Sequence, residues 1–295
     1  MAVLFVFIDG VGLGVKGNQN PFSNNRYESF EQLTGGIFSN KAEEVITADH
    51  LFKPIDANLG VEGLPQSGTG QTALFTGRNA AKEIGKHFGP FPHSGIKPFL
   101  KKESVFHGVK ALGLDPYFLN AYPPIFFKHA QKRNRWSCTT LMTKSAGLKL
   151  NSTEEVLQET ALTAEIIQNA WREKLGIDLP KITPTDAAKR ALNMLQEKDL
   201  LLYEYYLTDK AGHTQKEEDA ERVLRPLDEF LQYIIAHKSG NDTLVITSDH
   251  GNLEDLSTKT HTRNKVPLFV IGKNTNLFKG VESLTHVKDK ILEAV

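Results

Sequence analysis

Five stretches of the chain are apolar almost without interruption: VLFVFI (3–8), YFLNAY (117–122), LLLYEYYL (200–207), TLVIT (243–247) and VPLFVI (266–271). A strand with one wet face alternates apolar and polar positions, whereas a strand covered on both faces is apolar throughout. These stretches therefore predict buried strands. Between them apolar residues recur at helical spacing over about 69–82, 102–112, 153–174, 184–198, 216–238 and 284–294. Thr153 with Glu154 and Glu155, and Thr183 followed by Pro184, mark helix starts. Strands alternating with helices predict an α/β fold, a three-layer sandwich around a mainly parallel sheet. The stretch 84–101, IGKHFGPFPHSGIKPFLK, and the aromatic and basic stretch 122–136 carry neither period. Both are expected to be irregular, lid-like excursions from a single domain spanning 1–295.

Composition narrows the class. The 295 residues include 35 Lys+Arg against 35 Asp+Glu, so no nucleic-acid or anionic-membrane partner is expected. The single cysteine, Cys138, cannot form an internal disulfide, which favours a reducing compartment. The run Val3 to Ile8 is short for a secretory leader and has no basic residue before it. No stretch approaches the roughly 20 apolar residues of a membrane helix. A cytoplasmic location is the expectation.

The chemistry lies just beyond the strands. Asp9 follows the first, in FIDGVGLG; Asp209 and His213 follow the third, in YLTDKAGHTQ; Asp249 and His250 follow the fourth, in TSDHGN; and His261 precedes the fifth, in KTHTRNKVP. Singly, each has an ordinary explanation: an Asp at a strand end commonly caps a helix, and Asp and Gly favour turns. In an α/β sheet, however, residues at carboxyl ends of strands meet on one edge. Three carboxylates and three imidazoles meeting there need positive charge between them. A pair of divalent cations meets that need, and mixed carboxylate and imidazole donors suit zinc or manganese.

A further stretch, GLPQSGTGQTALFTGRNAA (63–81), bends at Pro65 and three glycines before the helical period begins near Thr69. Ser67 is thereby expected at a helix N-terminus, where backbone N–H groups and the helix dipole favour an anion. Beside a pair of cations this serine is a candidate nucleophile. Thr69 is the substitute if the turn falls two residues later.

These motifs resemble those of the alkaline phosphatase superfamily of metalloenzymes, and within it the branch of cofactor-independent phosphoglycerate mutase and phosphopentomutase. FIDGVGLG resembles the branch's opening strand. LPQSGTGQ is similar to its Pro-Asn-Ser-x-x-Gly-His, TDKAGHT to its Asp-x-x-Gly-His-Thr, and HTRNKVP to the phosphopentomutase His-Thr-Arg-x-x-Val-Pro. The resemblance implies an alkaline-phosphatase-like fold and two metal ions, Mn2+ or Zn2+. One would be held by Asp209, His213 and His261, the other by Asp9, Asp249, His250 and the Ser67 hydroxyl. It implies in-line attack by Ser67 on a small phosphate ester, a phosphoserine intermediate, and its relief by water or a substrate hydroxyl. Arg78, eleven residues after Ser67, matches a family arginine; Thr69, Lys210 and Arg263 are candidates for holding the rest of the substrate.

Two departures bear on the reaction. Gln71 stands where the mutase motif has histidine, and Asp209 follows Ser67 by only 142 positions, too few for the large cap domain of both mutases. A mutase must keep water from its phosphoserine, so the short interval favours a phosphatase or phosphodiesterase over a phosphomutase. A non-catalytic metal-binding regulatory module is the alternative outside enzymes.

Overall fold

The computed structural model describes residues 1–295, the side chain of Gln131 excepted. Its strands are β1 (Val3–Ile8), β2 (Val45–Ile46), β3 (His50–Ile55), β4 (Pro116–Phe118), β5 (Leu200–Tyr205), β6 (Thr243–Thr247) and β7 (Val266–Gly272). They form one sheet in the order β2-β3-β7-β6-β1-β5-β4. β1 lies parallel to β5 and β6, and β4 parallel to β5, while β7 runs antiparallel to β6 and β3.

The two apolar faces of each strand serve different layers. Leu4, Val6, Ile8, Leu201, Tyr203, Leu244 and Ile246 pack beneath helices Glu28–Thr34, Pro184–Leu195 and Glu217–His237. Val3, Phe5, Phe7, Leu200, Leu202 and Val245 pack beneath helices Ser67–Thr76, Val105–Ala111, Cys138–Ser145 and Leu284–Ala294. The period of two along each strand thus builds a three-layer α/β sandwich with two cores.

Several elements differ from the sequence expectation. The helical pattern over 153–174 forms only Thr153–Leu157 and Asn169–Glu173. Between them Glu159, Ile166 and Gln168 adopt left-handed backbone, and Leu162 pairs with Leu119 and Ala121 across a strand-like bridge. That long-range pairing outweighs local helical preference. The fourth strand stops at Phe118, because Asn120 and Ala121 make isolated bridges to Leu162 and Asn151. The pattern over 69–82 is divided at Gly77, whose left-handed backbone ends one helix before Ala80–Ile84 begins. The stretch 122–136 is mostly helix, Pro124–Arg133, and 84–101 runs into helix Lys97–Lys102. The hairpin of β2 and β3 had no expectation attached.

Helix Pro184–Leu195 starts where Thr183 and Pro184 indicate. The Thr183 hydroxyl accepts from the Asp186 amide, and the Asp186 carboxylate accepts from the Thr183 amide, forming a capping box. No helix among the described residues is long and apolar enough to cross a membrane.

Candidate metal centre

Parallel β1, β5 and β6 end on one edge, so Asp9, Asp209, Asp249 and His250 emerge together. His261 precedes its strand, yet it reaches the same edge because β7 runs antiparallel to β6: Thr247 pairs with Leu268. Ser67 enters from the layer above as the first residue of helix Ser67–Thr76, after the N-cap Gln66. Five stretches of chain separated by up to 252 positions converge here.

The donor atoms face one another closely. Nε2 of His250 lies 3.3 Å from Asp9 Oδ1, 3.6 Å from Asp249 Oδ2 and 3.0 Å from the Ser67 hydroxyl oxygen. Nε2 of His261 lies 3.3 Å from Nε2 of His213 and 3.5 Å from Asp209 Oδ1, and Nε2 of His213 lies 3.4 Å from Asp209 Oδ2. Two donors held at about 2.1 Å by one tetrahedral ion are about 3.4 Å apart. The spacings therefore suit two ions in two neighbouring groups. The groups touch, since the donors of Asp209, His250 and His261 also lie within 4.8 Å of one another.

Each imidazole is oriented from behind. Nδ1 of His213 contacts the Lys259 carbonyl at 2.8 Å, that of His250 the Gly251 carbonyl at 3.3 Å, and that of His261 the Pro65 carbonyl at 2.7 Å. A carbonyl can only accept, so each Nδ1 carries the proton and each Nε2 turns its lone pair inward. Gln71, in place of the family histidine, donates to Asp9 Oδ2 at 3.1 Å, and Asn252 donates to Asp209 Oδ1 at 2.7 Å. Asp9 Oδ1 and Asp249 Oδ2 are buried with no hydrogen-bond partner. Buried carboxylate oxygens left unpaired, aimed at inward lone pairs, form a donor set that fits divalent cations.

Electrostatics carries the same message. Burial first, and Asp249 second, push the Asp9 carboxyl well above the usual carboxylate range, and burial likewise raises Asp249. Burial pulls the His250 imidazole down, but Asp249 and then Asp9 outweigh it and push it up to about 10. Burial and the neighbouring His250 draw His261 down to about 4. Burial favours the neutral form of Asp209, yet the His213 contact and the field of His250 hold it below the usual range. The cluster calls in protons to offset its own charge, the role a divalent cation fills more fully.

Other expected residues fall elsewhere. Arg78 lies beyond the far end of the helix that begins at Ser67, about 15 Å along its axis. There its exposed guanidinium pairs with Glu103 at 2.6 Å, so the spacing match does not bring it to the site. The Thr69 hydroxyl is buried and committed, donating to the Gln66 carbonyl and accepting from the Phe88 amide. It anchors a loop and is not presented as a nucleophile. The Lys210 ammonium sits 4.4 Å from the Tyr206 ring centre and lines a separate cavity of about 630 Å³ with Glu165 and Trp171. Arg263 donates to the Gly63 carbonyl at 2.8 Å, bracing the loop that leads to Ser67.

Sequence reasoning passed over Arg135. Its guanidinium rests 4.0 Å over the Phe91 ring, and the Phe91 carbonyl packs against Gly68, next to Ser67. The only signal was the run of basic residues in 122–136.

The chain belongs to the Metalloenzyme superfamily, which it matches over residues 1–295. That superfamily comprises metal-dependent phosphoryl-transfer enzymes, among them phosphomutases and phosphatases. The 2,3-bisphosphoglycerate-independent phosphoglycerate mutase of Coxiella burnetii is 29% identical over 123 residues, which is 38% of this chain and 24% of that enzyme. The match thus spans about a quarter of that relative's length. The enzyme of the same name from Pyrococcus horikoshii is 23% identical over 294 residues, 89% of this chain and 68% of that one. Among solved structures, the alkaline phosphatase of the Antarctic bacterium TAB5 superposes with a TM-score of 0.55 at 15% identity, covering 99% of this chain and 97% of that one. A phosphoglycerate mutase from Leishmania mexicana gives 0.51 at 11% identity, covering 97% and 94%. The fold is therefore alkaline-phosphatase-like, as the motifs implied.

Proposed function

We propose that residues 1–295 act as one catalytic domain, a phosphatase or phosphodiesterase that passes the phosphoryl group of a small ester through Ser67. The observation that carries this reading is the position of the Ser67 hydroxyl, 3.0 Å from His250 Nε2 at a helix N-terminus on the edge where the six Asp and His donors meet. Asp209, His213 and His261 would hold one divalent ion, manganese or zinc; Asp9, Asp249, His250 and Ser67 would hold the other. Such ions, when bound, favour the serine alkoxide and neutralise charge on the phosphoryl oxygens.

The chain's own groups supply the rest. The amides of Ser67 and Gly68 have no backbone acceptor among the described residues and point out of the helix N-terminus, ready for a phosphoryl oxygen. Ser67 attacks in line, the ester bond to the alcohol breaks, and the alkoxide takes a proton from solvent. Water then displaces the serine and releases phosphate from a monoester substrate, or a phosphomonoester from a diester. Water reaches this edge because the His213 side chain is 44% exposed. The cover consists of segments 84–101 and 122–136, which provide short helices and loops in place of a cap domain.

The mutase names of the sequence relatives make isomerisation the competing outcome. Phosphorus NMR during incubation with 3-phosphoglycerate and ribose 1-phosphate, alongside a panel of phosphomonoesters and phosphodiesters with Mn2+ or Zn2+, distinguishes the two. Free phosphate from a monoester, or a monoester and an alcohol from a diester, is expected. Isomerised sugar or glycerate phosphate without free phosphate would mean that the short cover does exclude water.

A further inference from the structure

Glu254, five residues after Asp249, is 1% exposed and lies in none of the donor groups above. Its Oε2 accepts from the Gly12 amide at 2.9 Å and the Asn252 amide at 2.7 Å. Its Oε1 accepts from the Thr262 hydroxyl and from the Asn264 side chain, the latter at 3.0 Å. All four donors are uncharged. Both carboxylate oxygens are thus occupied as acceptors.

The four donors belong to three separate segments, and each segment carries residues of the proposed metal centre. Gly12 is three residues past Asp9; Asn252 follows His250 and itself holds Asp209; Thr262 and Asn264 follow His261. The segments pack directly around the carboxylate. A Cβ at Gly12 or at Gly251 would collide with Oε1, so glycine is required at both positions for this approach. Thr262 also pairs with Gly251 across an isolated bridge. Five of the six Asp and His donors thus sit within three positions of a Glu254 partner or are held by one.

We propose that Glu254 is a positioning residue: a buried, unpaired anion that locks the three donor-bearing loops in register and thereby sets the metal affinity of both half-sites. This rests on the metal centre proposed above. Outer hydrogen-bond partners of metal ligands are commonly worth 10- to 100-fold in affinity, and one that serves three loops belongs at the upper end. In Glu254→Gln the amide oxygen can still accept from the Gly12 and Asn252 amides, but the NH2 group then faces Thr262 and Asn264. Their hydroxyl and side-chain amide must both turn round to accept, so the charge and two of the four original hydrogen bonds are lost.

The test is calorimetric titration of Mn2+ into metal-stripped wild type, Glu254→Gln, Thr262→Val and Asn264→Ala, with circular dichroism and thermal melting on each. Glu254→Gln is expected to stay folded and to bind Mn2+ about 100-fold more weakly. Thr262→Val and Asn264→Ala, each lacking one donor, are expected to weaken binding by roughly a tenth of that effect. A folded Glu254→Gln with lower melting temperature but wild-type affinity would reduce Glu254 to a structural role and overturn the proposal. If Glu254→Gln does not fold, wild-type affinity in both donor variants overturns it equally. Wild type that binds no Mn2+ would instead remove the metal centre itself, and this inference with it.

Discussion

The two halves of the site differ in their access to water. Asp9, Asp249 and His250 are all less than 10% exposed, beneath Ser67 and Gln71. Asp209 keeps 18% of its side chain exposed and His213 keeps 44%, with only His261 closing the group behind them. A buried anionic cluster is costly without a cation and holds it strongly; a half-open one exchanges its cation with solvent. The buried half also contains the contact between His250 and Ser67, the proposed nucleophile, whereas the open half is the one accessible to solvent. On the proposed reading, the buried half activates and the open half admits.

The sharpest way to break that contrast is to remove charge from the buried half. Asp249→Asn should lose at least about a thousandfold in kcat/KM, the scale of deleting a member of a catalytic unit. Its metal-free form should nevertheless melt higher than metal-free wild type, since Asp9 and Asp249 repel each other in a dry site. Each kcal/mol so relieved raises Tm by about 2–4 °C in a chain of this size. Calorimetric melting with and without chelator checks both statements. A metal-free variant that melts lower would show that the two carboxylates are not in conflict.

In the open half the loss should be smaller and recoverable. His213→Asn is expected to cost roughly 10- to 100-fold at micromolar Mn2+ and to regain most of its activity at millimolar Mn2+, since affinity and not the nucleophile is changed. Activity against metal concentration reads this directly. A loss that excess metal does not restore would place His213 in the chemistry itself.

Much of this site was visible along the chain because the sheet is buried on both faces. Uninterrupted apolar runs such as VLFVFI and TLVIT stop abruptly, so the polar residues immediately past them stand out. What local pattern does not carry is three-dimensional competition. The helical period of 153–174 gives way to the bridge between Leu162 and Asn120, and β3 hides its strand character behind His50, Lys53 and Pro54 at the sheet margin. Arg78 has the family spacing from Ser67, but ten helical residues carry it to the opposite end of the layer. Glu254 reads as one acid in LED, and only the folded loops reveal four donors around it.

The smallest effect is expected where spacing and structure disagree. Arg78→Ala removes an exposed ion pair with Glu103 and should change kcat/KM by less than about twofold, within the range of ordinary surface substitutions. Steady-state kinetics on the preferred ester decides it. A loss of a hundredfold would mean that the helix presents Arg78 to substrate in a way its present pairing conceals.

The central claim, that phosphoryl transfer passes through Ser67 beside two cations, is tested most directly by trapping the intermediate. Wild-type protein loaded with Mn2+, mixed briefly with substrate and quenched in acid, should carry phosphate on the peptide containing Ser67 when analysed by mass spectrometry. Ser67→Ala, folded and still binding metal, should carry none and should turn over at least about a thousandfold more slowly. Turnover with no phosphopeptide, undiminished in Ser67→Ala, would contradict the account.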